Sequence, residues 1–200
     1  MKNPISQYLV VTGIIASLAF VAIATHTDEV PGQTLARMDQ LGKELATPNS
    51  NHEILEKLAG EWNTESRVMG MDPTSGKASH EMIYDNRFLN GTHTGIFFGI
   101  PFEGRVTIGY DNYKHKYVIS FIDNLGTSLR TGEGVLDESG KVLSFWGTMD
   151  EWMTDEHDKP VMYQFKFIDK NTFFFNIHDL SILDKNSLVI AVTYTRVNTN

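Results

Sequence analysis

From Trp62 to the C-terminus, apolar residues recur at every second position, and turn signals interrupt them at short intervals with no helical period between. The signals are Asp72-Pro73-Thr74-Ser75-Gly76, Asn90-Gly91, Gly99-Ile100-Pro101, Asp111-Asn112, Asn124-Leu125-Gly126, Asp137-Glu138-Ser139-Gly140 and Asp169-Lys170-Asn171. A chain of this kind is all-β, each hairpin leading into the next. The segments between the turns number about ten, which predicts an antiparallel up-and-down barrel, because closure removes the exposed edges of so long a meander.

The stretch from His52 to Trp62 leads into this train. Glu53 to Leu58 form an amphipathic turn of helix with Ile54, Leu55 and Leu58 on one face, and Ser50 and Glu53 stand at capping-box spacing. Such a helix is suited to closing one end of a barrel. Upstream, residues 25–51 are polar, broken by Pro31-Gly32 and Pro48-Asn49, and carry a weak helical pattern at Leu35, Met38, Leu41 and Leu45, so they are read as a linker. Residues 1–24 have the layout of a secretory signal peptide: Lys2, an uncharged apolar run from Tyr8 to Ala24, and Ala22-Ile23-Ala24 at its end. The expectation is cleavage after Ala24 and a periplasmic or secreted barrel of residues 52–200. The alternative is an uncleaved membrane anchor, since about 17 residues lie at the short limit for crossing a bilayer.

Composition narrows the partners. Of 200 residues, 41% are hydrophobic, enough for one core. The net charge is −8, and the nearest thing to a basic cluster is Lys114-His115-Lys116, so no phosphate-tracking surface and no nucleic-acid partner are expected. The chain has no cysteine, which removes disulfides, thiolate nucleophiles and thiolate metal sites. Membrane contact is expected only through an uncleaved N-terminal segment, and oligomeric state is left open.

Alternation assigns sides. With Trp62 taken as inward, the last strand presents Ile190, Val192, Tyr194 and Arg196 on the same side, and Tyr163, Phe165 and Phe167 form another inward set. Around Tyr117 to Asp123 and Phe173 to His178 both phases carry apolar groups, and the pattern does not choose between them.

Gly60-x-Trp62 on the first strand and Arg196 on the last resemble the structural signature of the calycin superfamily, in which the arginine packs across the indole. A guanidinium on an indole face is a favourable cation–π contact and would brace the barrel where it closes. More of the chain resembles a bacterial family known as domain of unknown function number fifteen seventy-nine. The blocks are His52-x-x-Leu55-x-x-Leu58-x-Gly60-x-Trp62, Arg87-Phe88-Leu89, Pro101-Phe102-Glu103-Gly104, Gly109-Tyr110-Asp111-Asn112, Lys116-Tyr117-Val118, Asp123-Asn124-Leu125-Gly126-Thr127 and Thr193-Tyr194-Thr195-Arg196. The resemblance implies a calycin-like barrel and brings no activity with it. Phe121 and Leu125 stand where that family usually has tryptophan and methionine, which would reshape a pocket there.

Tyr84, Phe88, Tyr117, Phe121, Arg130, Tyr163, Phe165 and Tyr194 are the candidate ligand-lining residues, with Trp62 and Arg196 as the structural brace. They either line a cavity for a small apolar or amphipathic molecule or fill the core outright. Arg87, Arg105 and Arg130 are candidates for an acidic head group if they face inward, against the ordinary role of solvated strand charges. No cofactor is predicted; a haem held by His93 or His178 is the remote option. His52 reads as a capping or lid contact before a catalytic base. The acidic run Asp155-Glu156-His157-Asp158, with Asp150 and Glu151, lacks the ligand order of a calcium loop and reads as a solvated turn. An enzyme would have to work through Asp123, Glu133, His52 or a tyrosine, the first two as an acid–base pair, and Asp123 as a turn cap is the plainer reading. No metal site or catalytic residue is expected. The leading function is an exported ligand-binding barrel, and an enzyme of this fold or a filled envelope protein are the alternatives.

Overall fold

The structure is a computed structural model in which residues 31–151, 154–182 and 187–197 are described. Residues 1–24, where the signal peptide is expected, lie outside them. The chain divides into two compact units, the second running from Thr47 to Asn200. In the first unit, helix α1 spans Pro31–Ala46 and begins on a proline, which is preorganised for the opening turn. An Asp39 to Lys43 pair at 2.6 Å and a Gln40 to Glu44 hydrogen bond at 2.9 Å run along it. No helix among the described residues is long and apolar enough to cross a membrane.

The second unit opens with helix α2, Ser50–Glu56, whose cap is shifted by one residue from the expected Ser50–Glu53 box. Asn49 is the N-cap, and its own N–H is bonded to His52 Nδ1 at 3.0 Å. An imidazole nitrogen with a free lone pair accepts here as a glutamate carboxylate would, which explains how histidine serves at the third helical position.

Ten strands follow: β1 Gly60–Val68, β2 Thr74–Ile83, β3 Phe88–Phe97, β4 Ile100–Asp111, β5 Lys116–Asp123, β6 Arg130–Leu136, β7 Val142–Glu151, β8 Glu156–Asp169, β9 Thr172–Asp179 and β10 Leu188–Arg196. Each pairs antiparallel with its neighbour, and β10 pairs with β1, closing the barrel. Closure aligns Trp62 with Arg196, and Trp62 with Ala78 on its other side. Residues aligned across strands share a face, so this row fixes which side chains point inward.

The register settles the two ambiguous strands. Phe173 aligns with inward Tyr194, and Phe175 with Val192, so Phe174, Asn176 and His178 face out. On β5, Tyr117 and Ile119 are buried while Ile122 is half exposed. Two expected features are displaced. Asn90-Gly91 is not a turn but lies within β3, and the chain reverses at Tyr84, Asp85 and Asn86, three consecutive residues with positive φ. That reversal resets the alternation between β2 and β3. Tyr84 consequently sits on the exposed turn, and Phe88 points outward to cover Gly109 on the barrel's outer wall, so neither lines the interior.

Helix α2 plugs the end where β1 begins. Leu55 and Leu58 are fully buried, the Tyr117 hydroxyl donates to the Asn51 carbonyl at 3.1 Å, and Asn49 Nδ2 donates to Asn112 Oδ1 at 2.8 Å. Arg196 lies 4.1 Å over the Trp62 ring and donates to the carbonyls of Ala59 at 2.8 Å and Lys170 at 2.9 Å. Gly60, with φ of 127°, makes room for that guanidinium: a Cβ there would collide with Arg196 Nη1.

Candidate interior binding site

The interior is built from rings. Phe173 stacks on Tyr194 at 4.2 Å, Phe165 contacts Phe175 at 4.7 Å, and Trp62 meets Phe173 edge-on at 4.7 Å. Offset and edge-on pairs of this kind add roughly 0.5–1.5 kcal/mol each beyond the area they bury.

Within this apolar lining sits a chain of polar atoms that starts at the end of α2. The Leu58 carbonyl takes two donors, Trp62 Nε1 at 2.9 Å and His80 Nδ1 at 2.9 Å. A carbonyl only accepts, so the His80 proton is on Nδ1 and, in the neutral ring, its Nε2 is a bare acceptor. His80 Nε2 lies 3.0 Å from His93 Nε2, so His93 must carry its proton on Nε2 and donate it. That leaves His93 Nδ1 without a proton, and it is buried without a hydrogen-bond partner. The Tyr163 hydroxyl is the other buried polar side-chain atom without a partner among the described residues.

Both imidazoles are held neutral. Burial pushes the His80 pKa down to about 4, opposed by its bond to the Leu58 carbonyl, and burial with repulsion from His80 takes His93 down to about 3. Burial also pushes the Tyr163 and Tyr117 phenols up to about 12, keeping them protonated. Gly91, in the middle of β3, is what admits the pair: a Cβ there would come within 2.6 Å of the His80 ring.

Six of the eight expected lining residues face inward, with differing roles. Tyr117 fastens the helix, and Phe165 is core, packed on Phe145, Phe173 and Phe175. Tyr194 lies 6.0 Å from the His93 ring and 5.8 Å from His80. Phe121 contacts His93 at 6.3 Å and carries the Arg130 guanidinium at 5.6 Å. Arg130 is paired with Asp123 at 2.5 Å, and Asp123 also caps its turn through the Leu125 N–H at 2.9 Å. Tyr163 stacks on Phe175 at 6.3 Å, leaving its hydroxyl unpaired.

Other candidates separate from this site. Arg105 is exposed, and Arg87 bonds the Tyr84 carbonyl at 2.8 Å in its turn. His178 bonds Ser187 Oγ at 3.1 Å on the outer face, away from the interior. Glu133 is outside, bridged to Lys114 at 2.5 Å and Lys116 at 2.9 Å, so it shares no cavity with Asp123. His157, exposed near the start of β8, lies within 3.7 Å of Asp150 on β7 and Asp155 in the turn between them. Among the described residues no cluster of three or more histidine or carboxylate side chains could hold a metal ion. The outer wall carries a shallow groove of about 540 Å³ beside Phe88, Val118 and Trp146.

The residue that sequence reasoning missed is His80. It shares the inward face through Ala78, which pairs with Trp62, a register that only the folded sheet supplies.

A family model described as "Protein of unknown function (DUF1579)" matches residues 47–196. No curated protein matches the chain. Among solved structures, Rv2717c from M. tuberculosis is similar at 12% identity and a TM-score of 0.49, over 76% of this chain and 100% of that one. The S-type phycobiliprotein lyase CPES from Guillardia theta is 10% identical with a TM-score of 0.48, over 78% and 98%. A redesigned β-barrel, mFAP0, bound to DFHBI, is 11% identical with a TM-score of 0.41, over 70% and 99%.

Proposed function

We propose a function for a chain that belongs to DUF1579, a protein family of unknown function: it is a binding barrel that takes one small apolar or amphipathic molecule into its interior. The observation that carries this reading is the pair of unpartnered polar atoms, His93 Nδ1 and the Tyr163 hydroxyl, within a lining otherwise made of rings. Leaving a buried donor or acceptor unsatisfied costs about 1–3 kcal/mol. A barrel selected only to fill its core has no use for that cost, whereas a ligand that meets those atoms offsets it on binding. Apolar side chains exposed at the end opposite α2, Met69, Phe98 and Leu129 in its loops and Ile100 at the start of β4, suit the passage of a greasy molecule at that end. The barrel is further proposed to work outside the cytoplasm, on the strength of Lys2, the apolar run Tyr8–Ala24 and the Ala22-Ile23-Ala24 site.

One measurement tests both parts. The full-length gene product, isolated from envelope and soluble fractions of its own cells, is weighed by native mass spectrometry and again after denaturation. A mass excess in the native spectrum that is released as a small molecule, on a chain lacking residues 1–24, is the expected result. A bare native mass, together with no thermal stabilisation across a panel of lipids and metabolites, would leave the filled barrel in its place.

A further inference from the structure

Resting on the interior-binding reading, the polar chain specifies what the ligand's head must be. We propose that the head group is an uncharged hydrogen-bond donor, an alcohol or phenol O–H or an amide N–H, donated to His93 Nδ1, and that the site rejects carboxylates.

The Leu58 carbonyl fixes the proton on His80 Nδ1, His80 Nε2 then accepts from His93 Nε2, and His93 Nδ1 is left with a lone pair alone. Only a donor satisfies a lone pair, and a carboxylate would bring a second set of lone pairs against it. The relay could accommodate an anion by protonating His93, but the ring is buried and its neighbour is another imidazole, both of which oppose the charge. The inward cations near the end opposite α2 are already neutralised: Arg130 by Asp123 at 2.5 Å, and Lys159 by Asp179 at 2.8 Å and Glu156 at 2.9 Å. The interior therefore offers an acceptor at His93, a hydroxyl of either role at Tyr163, and no unpaired charge on these side chains. This departs from the acidic head group that three arginines suggest in the sequence.

The test uses four probes with the same twelve-carbon chain at pH 7.5: dodecanol, dodecanamide, sodium dodecanoate and methyl dodecanoate, with affinities read by calorimetry on the full-length protein. The two donors are expected to bind roughly tenfold or more tightly than the anion and the acceptor-only ester, about the worth of one hydrogen bond to a buried group. His93→Leu is expected to reduce donor binding to the level of the ester. Because that variant could also disturb packing, nitrogen-15 NMR of histidine-labelled wild-type protein supplies a second readout. The His93 Nδ1 resonance is expected at the unprotonated position in the free protein and to move upfield when dodecanol is added. A dodecanoate affinity equal to or above that of dodecanol, or a proton found on His93 Nδ1, overturns the head-group assignment while the interior reading stands. Haem uptake with an axial-imidazole absorption band would likewise replace a donor head by a metal. If none of the four probes binds, the interior reading itself fails and the head-group assignment goes with it.

Discussion

At the scale of single residues, the two buried histidines make the barrel sensitive to acid. Their folded pKa values, about 4 and about 3, lie below the ordinary imidazole value of 6.5, so the unfolded chain binds more protons in between. The stabilisation from keeping them neutral is fully present above about pH 6.5 and is lost as pH falls toward the folded values. Between pH 7 and pH 5 the loss is on the order of 2 kcal/mol for each histidine. Urea midpoints taken at the two pH values should show it, and the double variant His80→Leu, His93→Leu should flatten the difference. An unchanged pH dependence in that variant would place the acid sensitivity elsewhere. His80 also shows the limit of reading one residue at a time. In the sequence it is one histidine of seven, in a strand rich in polar residues. Only its cross-strand partner Gly91, which leaves space for a ring, and the helix-end carbonyl beneath it make it part of a relay.

At the scale of elements, α2 is held less by its own seven residues than by what it closes over. Isolated helices of that length are unstable in water, so its stability comes from the cap and from Leu55 and Leu58 buried under it. Asn49→Ala should cost about 1 kcal/mol through the lost cap, and Leu55→Ala about 2–5 kcal/mol through transfer and cavity terms. Chemical denaturation of the two variants checks the order, which reverses if the cap rather than the plug holds the helix. The helix and the run of hairpins were legible because period and turn chemistry are local signals, whereas the Trp62–Arg196 brace, a contact between the first and last strands, was implied by the resemblance to the calycin signature. The phase of β3 was not legible, because three left-handed residues at Tyr84 to Asn86 reset the alternation and carried Tyr84 and Phe88 to the outside. The sides of β5 and β9 were not legible either, since a strand with apolar groups on both faces is oriented only by the neighbours it pairs with, as Phe173 is by Tyr194. The unpartnered state of His93 Nδ1 is likewise a property of three elements brought together.

At the scale of the whole molecule, the closed order of strands means that every strand has two partners and that β10 is shared between β1 and β9. A chain ended before Leu188 would present two unsatisfied edges, on β1 and β9, and would lose the Arg196 contact to Trp62 as well. It is expected to run as soluble aggregate or an expanded species in size-exclusion chromatography, with amide protons of β1 exchanging rapidly; a monomeric, protected product would mean that nine strands close without the tenth. Closure by the first and last strands also sets an order of events in the life of the chain. Hairpins from β1 to β9 can form one after another, but the seam between β1 and β10 joins the two ends of the barrel and cannot be sewn until β10 has been made. Until then the first strand waits with one edge bare, which makes the nascent barrel a client for whatever shields such edges, and makes the docking of β10 the moment at which the interior first becomes separate from its surroundings.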